Sequence, residues 1–150
     1  MAARKLAEFA DKMNEVMPVL IQGFARRQAN ELYKGKITLP QFLILDFLNK
    51  KGECKMTEIA RFMHVTTAAM TGIVERIKRC NYVERVYEPS DRRIIKIRLT
   101  DKGRELVKKV NRQRRNMIVD IFGKISQRER EQYLSILMRI LSIMTEENQR

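Results

Sequence analysis

The sequence predicts a mainly α-helical chain interrupted by one small antiparallel β-hairpin, and three observations carry that prediction. Apolar residues recur at helical spacing through most of the 150 residues, in blocks parted by short polar connectors. Residues 82–100, YVERVYEPSDRRIIKIRLT, depart from that period: Ile95, Ile97 and Leu99 alternate with Lys96, Arg98 and Thr100 after a Pro-Ser-Asp cluster. Just before this hairpin, two short helical blocks are joined by little more than His64-Val65, the spacing of a helix-turn-helix.

The first helix is read from Leu6, with Phe9, Met13, Val16, Leu20 and Phe24 near one stripe, through to Tyr33. Pro18 lacks an N–H and predicts a bend within it. A loop through Gly35 leads to Thr38, a good N-cap, with Pro40 in the first turn where its missing donor costs little. Phe42, Leu45, Phe47 and Leu48 make this second helix apolar enough to be buried, and it stops at Lys51-Gly52. The two short helices follow: MTEIARFM, capped by Thr57, and TTAAMTGIVERIKRC, capped by Thr66. On the latter, Met70, Ile73, Val74 and Ile77 must face the core, which turns Thr67, Ala68, Thr71, Gly72 and Glu75 outward. Asn81 stands at C′, where it tolerates the left-handed conformation.

The hairpin is read as a two-stranded wing with its paired arginines at the turn. Thr100 then caps a long helix whose apolar residues pass from sparse (Leu106, Val110) to dense (Met117, Ile118, Ile121, Phe122). That gradient predicts an exposed, basic first half and a buried second half. Ser126 and Glu129 form a capping box before a last helix carrying Tyr133, Leu134, Leu137, Ile140, Leu141 and Met144. Little core is left for the two terminal helices in a chain this short. Their stripes, including Phe9, Met13, Ile118, Phe122, Leu134, Leu137 and Leu141, are therefore expected to pack on one another and on a second subunit, as a two-fold homodimer.

Charge narrows the function. The formal net charge is +13, and residues 50–115 hold 19 Lys and Arg against 8 Asp and Glu, nearly the whole excess. A basic region that also carries core residues reads as a binding surface for an anionic partner rather than as a disordered tail. With one histidine, two cysteines without CxxC spacing, no paired-carboxylate motif and no Gly-rich phosphate loop, neither an enzyme nor a metal site is indicated, and no cofactor is expected. No apolar run is long enough to cross a bilayer and no secretory leader is evident, so a cytoplasmic protein with no membrane partner is expected.

Two features invite a sharper reading. Thr66, Thr67, Ala68, Ala69, Thr71 and Gly72 are small residues where a solvated helix would carry Lys, Glu and Gln, and small side chains let a helix sit close to a major groove. Arg76 and Lys78 lie further along, suited to phosphates. Tight internal packing explains the small residues equally well. Likewise Ser90, Asp91, Arg92 and Arg93 are either a polar turn or a hairpin tip that touches something negative. A binder that uses charge alone, on nucleic acid or an anionic surface, stays in play beside a sequence-specific one.

The order of elements and the run DRRIIKIRLTDKG, which fits D-x-R-x5-L-T-x-x-G, resemble the MarR family of winged helix-turn-helix transcriptional regulators. The resemblance extends from Leu6 to about Met144. It implies a single domain over 1–150, with a DNA-binding lobe at 37–100 and dimerisation helices at 1–36 and 101–150. It further implies a homodimeric regulator, expected to repress, that sets a recognition helix (Thr66 to Arg79) in the major groove of pseudo-palindromic DNA. Its wing would lie in the flanking minor groove, with Asp91 and Arg93 in the motif's positions. Many members of the family respond to small phenolic or aromatic acids bound near the junction of lobe and dimer helices, which here involves Met17, Phe24, Phe42 and the stretch around Arg112, residues that plain core packing also explains. Two departures stand out: Asn81 replaces the usual Gly, and the first helix has no cysteine, so a redox role for Cys54 or Cys80 is open.

Overall fold

Thr38 behaves as its position predicts: its hydroxyl accepts the Gln41 N–H at 3.4 Å while the Gln41 side chain accepts the Thr38 N–H at 3.0 Å. In the computed structural model, which describes residues 2–27 and 37–147, this box opens α2 (Leu39–Lys51). Gly52, at φ +83°, ends it. Before it lies α1 (Ala2–Arg27), which runs unbroken through Pro18. The expected extension to Tyr33 and the loop at Gly35 lie outside the described residues.

After α2 come β1 (Cys54–Lys55), α3 (Met56–Phe62), α4 (Thr67–Arg79), β2 (Val83–Glu88), β3 (Asp91–Leu99), α5 (Asp101–Phe122) and α6 (Gln127–Glu147). The wing has three strands in the order β1-β3-β2, not two: Cys54 pairs with Ile97 and Lys55 with Lys96. A two-residue strand shows no period, so nothing in the sequence announces it. The cap of α3 is also displaced. Glu58 accepts the Lys55 N–H at 2.7 Å, which starts the helix at Met56 and leaves Thr57 inside its first turn.

The chain divides into two compact units, Met1–Gln113 and Arg114–Arg150. In the first, Phe42, Leu45 and Leu48 of α2, Ile59 of α3, Met70, Val74 and Ile77 of α4 and Ile97 of β3 form one buried core. Phe47 and Phe62 stack at its margin with centroids 4.2 Å apart. Leu106, Val107 and Val110 join that core, so the first half of α5 is the buried half. Further along, Met117 is buried, Ile121 and Phe122 are half-buried, and Ile118 and Val119 are exposed. The expected gradient is thus reversed. Apolar density counts side chains, whereas burial depends on which turns meet a partner, and three residues on one stripe suffice for the first half.

In the second unit, the Ser126 N–H and hydroxyl both donate to Glu129 at 2.7 Å, and the Glu129 N–H returns a bond to the hydroxyl at 3.3 Å. These bonds hold the Glu129 carboxyl below its ordinary value. Arg130 donates to the carbonyls of Phe122 and Ile125 at 3.0 and 2.6 Å, satisfying the end of α5. Phe122 lies against Tyr133, centroids 5.3 Å apart. Leu134, Leu137 and Leu141 on α6 are exposed in the single chain, as are Phe9 and Met13 on α1.

Candidate nucleic-acid interface

The turn between α3 and α4 is set by His64. It adopts φ +54° and closes a Schellman motif, with His64 N–H donating to the Arg61 carbonyl at 3.2 Å and Val65 N–H to the Ala60 carbonyl at 3.1 Å. This imidazole is therefore a helix-terminating residue. Thr66 then caps α4 by accepting the Ala69 N–H at 3.2 Å. The inward stripe is as expected, with Met70, Val74 and Ile77 buried and Ile73 partly so.

Outward, Thr67, Ala68, Ala69 and Gly72 are exposed, and Thr71 is half-buried with its hydroxyl donated to the Thr67 carbonyl at 2.9 Å. A Cβ placed on Gly72 would meet nothing within 4 Å. Internal packing therefore does not require these small residues, and they leave a flat helical face open to solvent. Arg76 is exposed and Lys78 half-buried on the later turns.

The hairpin register refines the position of the arginines. Val83 to Tyr87 pair in order with Leu99 to Ile95, but Glu88 pairs with Asp91, so Arg92, Arg93 and Ile94 bulge where the register shifts. The turn proper is Pro89-Ser90. Arg92 and Arg93 follow it on the bulged start of β3 instead of sitting in the turn. Asp91 accepts the Arg93 N–H at 3.0 Å, and its carboxylate lies 4.0 Å from the Arg93 Nε. The Arg93 side chain is 95% exposed, and Ser90 and Arg92 are exposed beside it.

Ion pairing sorts the basic residues into two groups. Arg85 pairs with Glu75, Lys96 with Glu88, and Arg98 with Glu84 at 2.7 Å and Glu53 at 3.4 Å. The bond to Glu88 raises the Lys96 pKa, and that to Glu84 raises Arg98. Among the described residues, Arg76, Lys78, Arg79 and Arg92 have no carboxylate within ion-pair distance. Arg85, Lys96 and Arg98 are engaged by the fold itself, whereas Arg76, Lys78 and Arg79 on or at the end of α4 and Arg92 beside the turn are free for an anion.

A second Schellman motif, with Asn81 at φ +60°, ends α4: Asn81 N–H donates to Lys78 and Tyr82 N–H to Ile77, at 2.8 and 3.3 Å. Thr100 closes the seam to α5. Its hydroxyl donates to the Asn81 carbonyl at 2.5 Å and accepts the Gly103 N–H at 3.1 Å, and its own N–H donates to Tyr82 at 3.1 Å. Lys102 Nζ adds a bond to the Cys80 carbonyl at 3.0 Å. A Cβ at position 103 would lie 2.1 Å from the Tyr82 oxygen. The Leu-Thr-x-x-Gly run thus has a physical reading: Leu99 in the core, Thr100 as cap and tie, Gly103 for close approach.

The remaining candidates separate. Phe42 is wholly buried, Met17 is exposed, Phe24 is half-buried, and Arg112 lines an open cavity of about 420 Å³ with Tyr82, Lys102, Glu105, Leu106 and Lys109. Cys54 is buried, which pushes its thiol pKa up, and Cys80 is exposed at the end of α4. Among the described residues no three His, Cys, Asp or Glu side chains converge as metal ligands, and no helix is long and apolar enough to cross a membrane.

Residues 37–95, which hold α2 to α4 and most of the hairpin, match the family model described as MarR family. This segment resembles the MarR family. Members of this family are helix-turn-helix transcriptional regulators, not enzymes. Over 104 residues the chain is 29% identical to the HTH-type transcriptional regulator YsmB of Bacillus subtilis, covering 69% of this chain and 71% of that protein. Over 87 residues it is 32% identical to the HTH-type transcriptional repressor MdtR of the same organism, covering 58% and 56%. In fold it is similar to FabT of Streptococcus pneumoniae, solved in complex with DNA, with a TM-score of 0.80 at 20% identity over 91% of this chain and 98% of that one. The fold is a winged helix-turn-helix, and the proteins this chain resembles are DNA-binding transcriptional regulators.

Proposed function

We propose that the chain is a homodimeric repressor that binds pseudo-palindromic duplex DNA by sequence. Residues 37–100 would form the binding lobe, and 1–36 with 101–150 the dimerisation region. α4 would enter the major groove with Thr67, Ala68, Thr71 and Gly72 toward base edges. Arg76 and Lys78 would meet phosphates, and Arg92 or Arg93 the flanking minor groove, oriented by Asp91. The observation that carries this reading is the outward face of α4, small and without an internal neighbour at Gly72. The repressor MdtR and the DNA complex of FabT support the same direction by likeness.

Dimerisation is supported by the exposure of Phe9, Met13, Ile118, Leu134, Leu137 and Leu141, a larger apolar surface than a lone helical chain leaves in water. A dimer would set two α4 helices about one DNA turn apart, roughly 34 Å. Release by a small phenolic or aromatic effector, and a cytoplasmic setting, complete the proposal.

The test is affinity for a duplex selected from random sequence against a scrambled duplex at one fixed salt concentration, with sedimentation of the free protein. The expected outcome is a preference of at least about a thousandfold and a dimer at micromolar concentration. Equal affinities would return the chain to binding by charge alone, and a monomer would remove the two-fold arrangement.

A further inference from the structure

Along the hairpin face that carries Val83, Arg85 and Tyr87, support from the lobe fades with distance. Val83 and its partner Leu99 are buried, as is Ile97 opposite Arg85, whereas the next pair, Tyr87 and Ile95, is 57% and 39% exposed. Beyond them stand only the turn, the bulge and the two tip arginines. Among the described residues, the last side chain on this face with an ion-pair partner on α4 is Arg85, through Glu75.

We propose that Glu75 and Arg85 form a brace that fixes the direction in which the wing tip is presented relative to the recognition helix, making Arg85 a positioning residue and not a phosphate contact. The proposal rests on the reading of the wing as a DNA contact. Both side chains are about one third exposed, so the pair adds little to global stability. Direction is what it supplies, because a guanidinium meets a carboxylate in a restricted geometry. The pair also accounts for a carboxylate on a helix that faces polyanion: Arg85 neutralises Glu75, and exclusion of water on binding strengthens their attraction.

The experiment measures affinity of the full chain for the selected duplex in a set of variants. Glu75→Gln and Arg85→Gln each break the brace but change the interface charge in opposite directions, so a pure charge effect moves their affinities apart. The tip double variant Arg92→Ala/Arg93→Ala is then combined with each. In the wild-type background the tip variant should weaken binding about tenfold, and in both brace backgrounds less than about threefold, the non-additivity expected of coupled sites. A full tenfold loss retained in both backgrounds would overturn the brace. Unfolding midpoints within about 2 °C of wild type establish that the variants fold, and if Arg85→Gln fails this, Glu75→Gln decides alone. A tip variant that binds like wild type in the unaltered background would overturn the wing reading itself, and the brace with it.

Discussion

The α4 and α6 helices carry apolar stripes in the same chain, yet they resolve them in opposite ways. On α4 the stripe of Met70, Val74 and Ile77 is buried, and its outward face holds small residues with open space at Gly72. On α6 the stripe of Leu134, Leu137 and Leu141 is itself exposed. One helix has completed its fold within the chain and offers a polar face; the other still presents its apolar one. On the proposed reading the two faces take different partners, a hydrated polyanion and a hydrophobic protein surface.

The contrast can be tested by stability. Phe42→Ala, at a fully buried site, should cost about 3–5 kcal/mol in denaturant titration whatever the protein concentration. Leu137→Ala should instead lower the unfolding midpoint in a concentration-dependent way, since its loss acts through association. A concentration-independent loss would place the α6 stripe in the fold of the single chain. Gly103→Ala comes next, at about 1–3 kcal/mol, because the added methyl must displace the Tyr82 carbonyl. Gly72→Ala is expected to do the opposite, stabilising α4 by about 0.5–1 kcal/mol through helix propensity while weakening binding to the selected duplex. Unchanged binding in that variant would mean that α4 does not approach its target closely.

The smallest expected effect is in acid. Hydrogen bonds from Ser126 hold Glu129 below its ordinary value, and Arg104 does the same for Asp101. A depressed carboxyl contributes stability that is fully present above its unfolded-state pKa and lost as pH falls through the folded one. Glu129→Gln should therefore lower the unfolding midpoint slightly near neutrality, and the difference from wild type should close as pH falls through the carboxylate range, so that the variant's acid profile is flatter. An unchanged acid profile would detach the capping box from stability.

Much of residues 37–100 is legible in the sequence because its signals are local. Thr38, Thr66 and Asn81 announce helix ends through their own side chains, and Met70 to Ile77 repeats within one helix. What escaped depends on partners distant in sequence. β1 exists because Cys54 finds Ile97, and the bulge at Arg92 to Ile94 exists because Glu88 pairs with Asp91. The Glu75–Arg85 pair joins residues ten apart across a helix end, with no spacing rule to reveal it. The burial of the first half of α5 followed the same logic, since Leu106, Val107 and Val110 meet residues that no local window contains.

The seam at Thr100 has a mechanical consequence. Asn81, Tyr82 and Cys80 at the end of α4 are tied to Thr100 and Lys102 at the start of α5, and Gly103 leaves no gap against Tyr82. Sliding one helix past the other would break three hydrogen bonds at once. The end of α4 and the first turn of α5 therefore share their degrees of freedom, and any pivot of α4 carries the start of α5 with it as one lever.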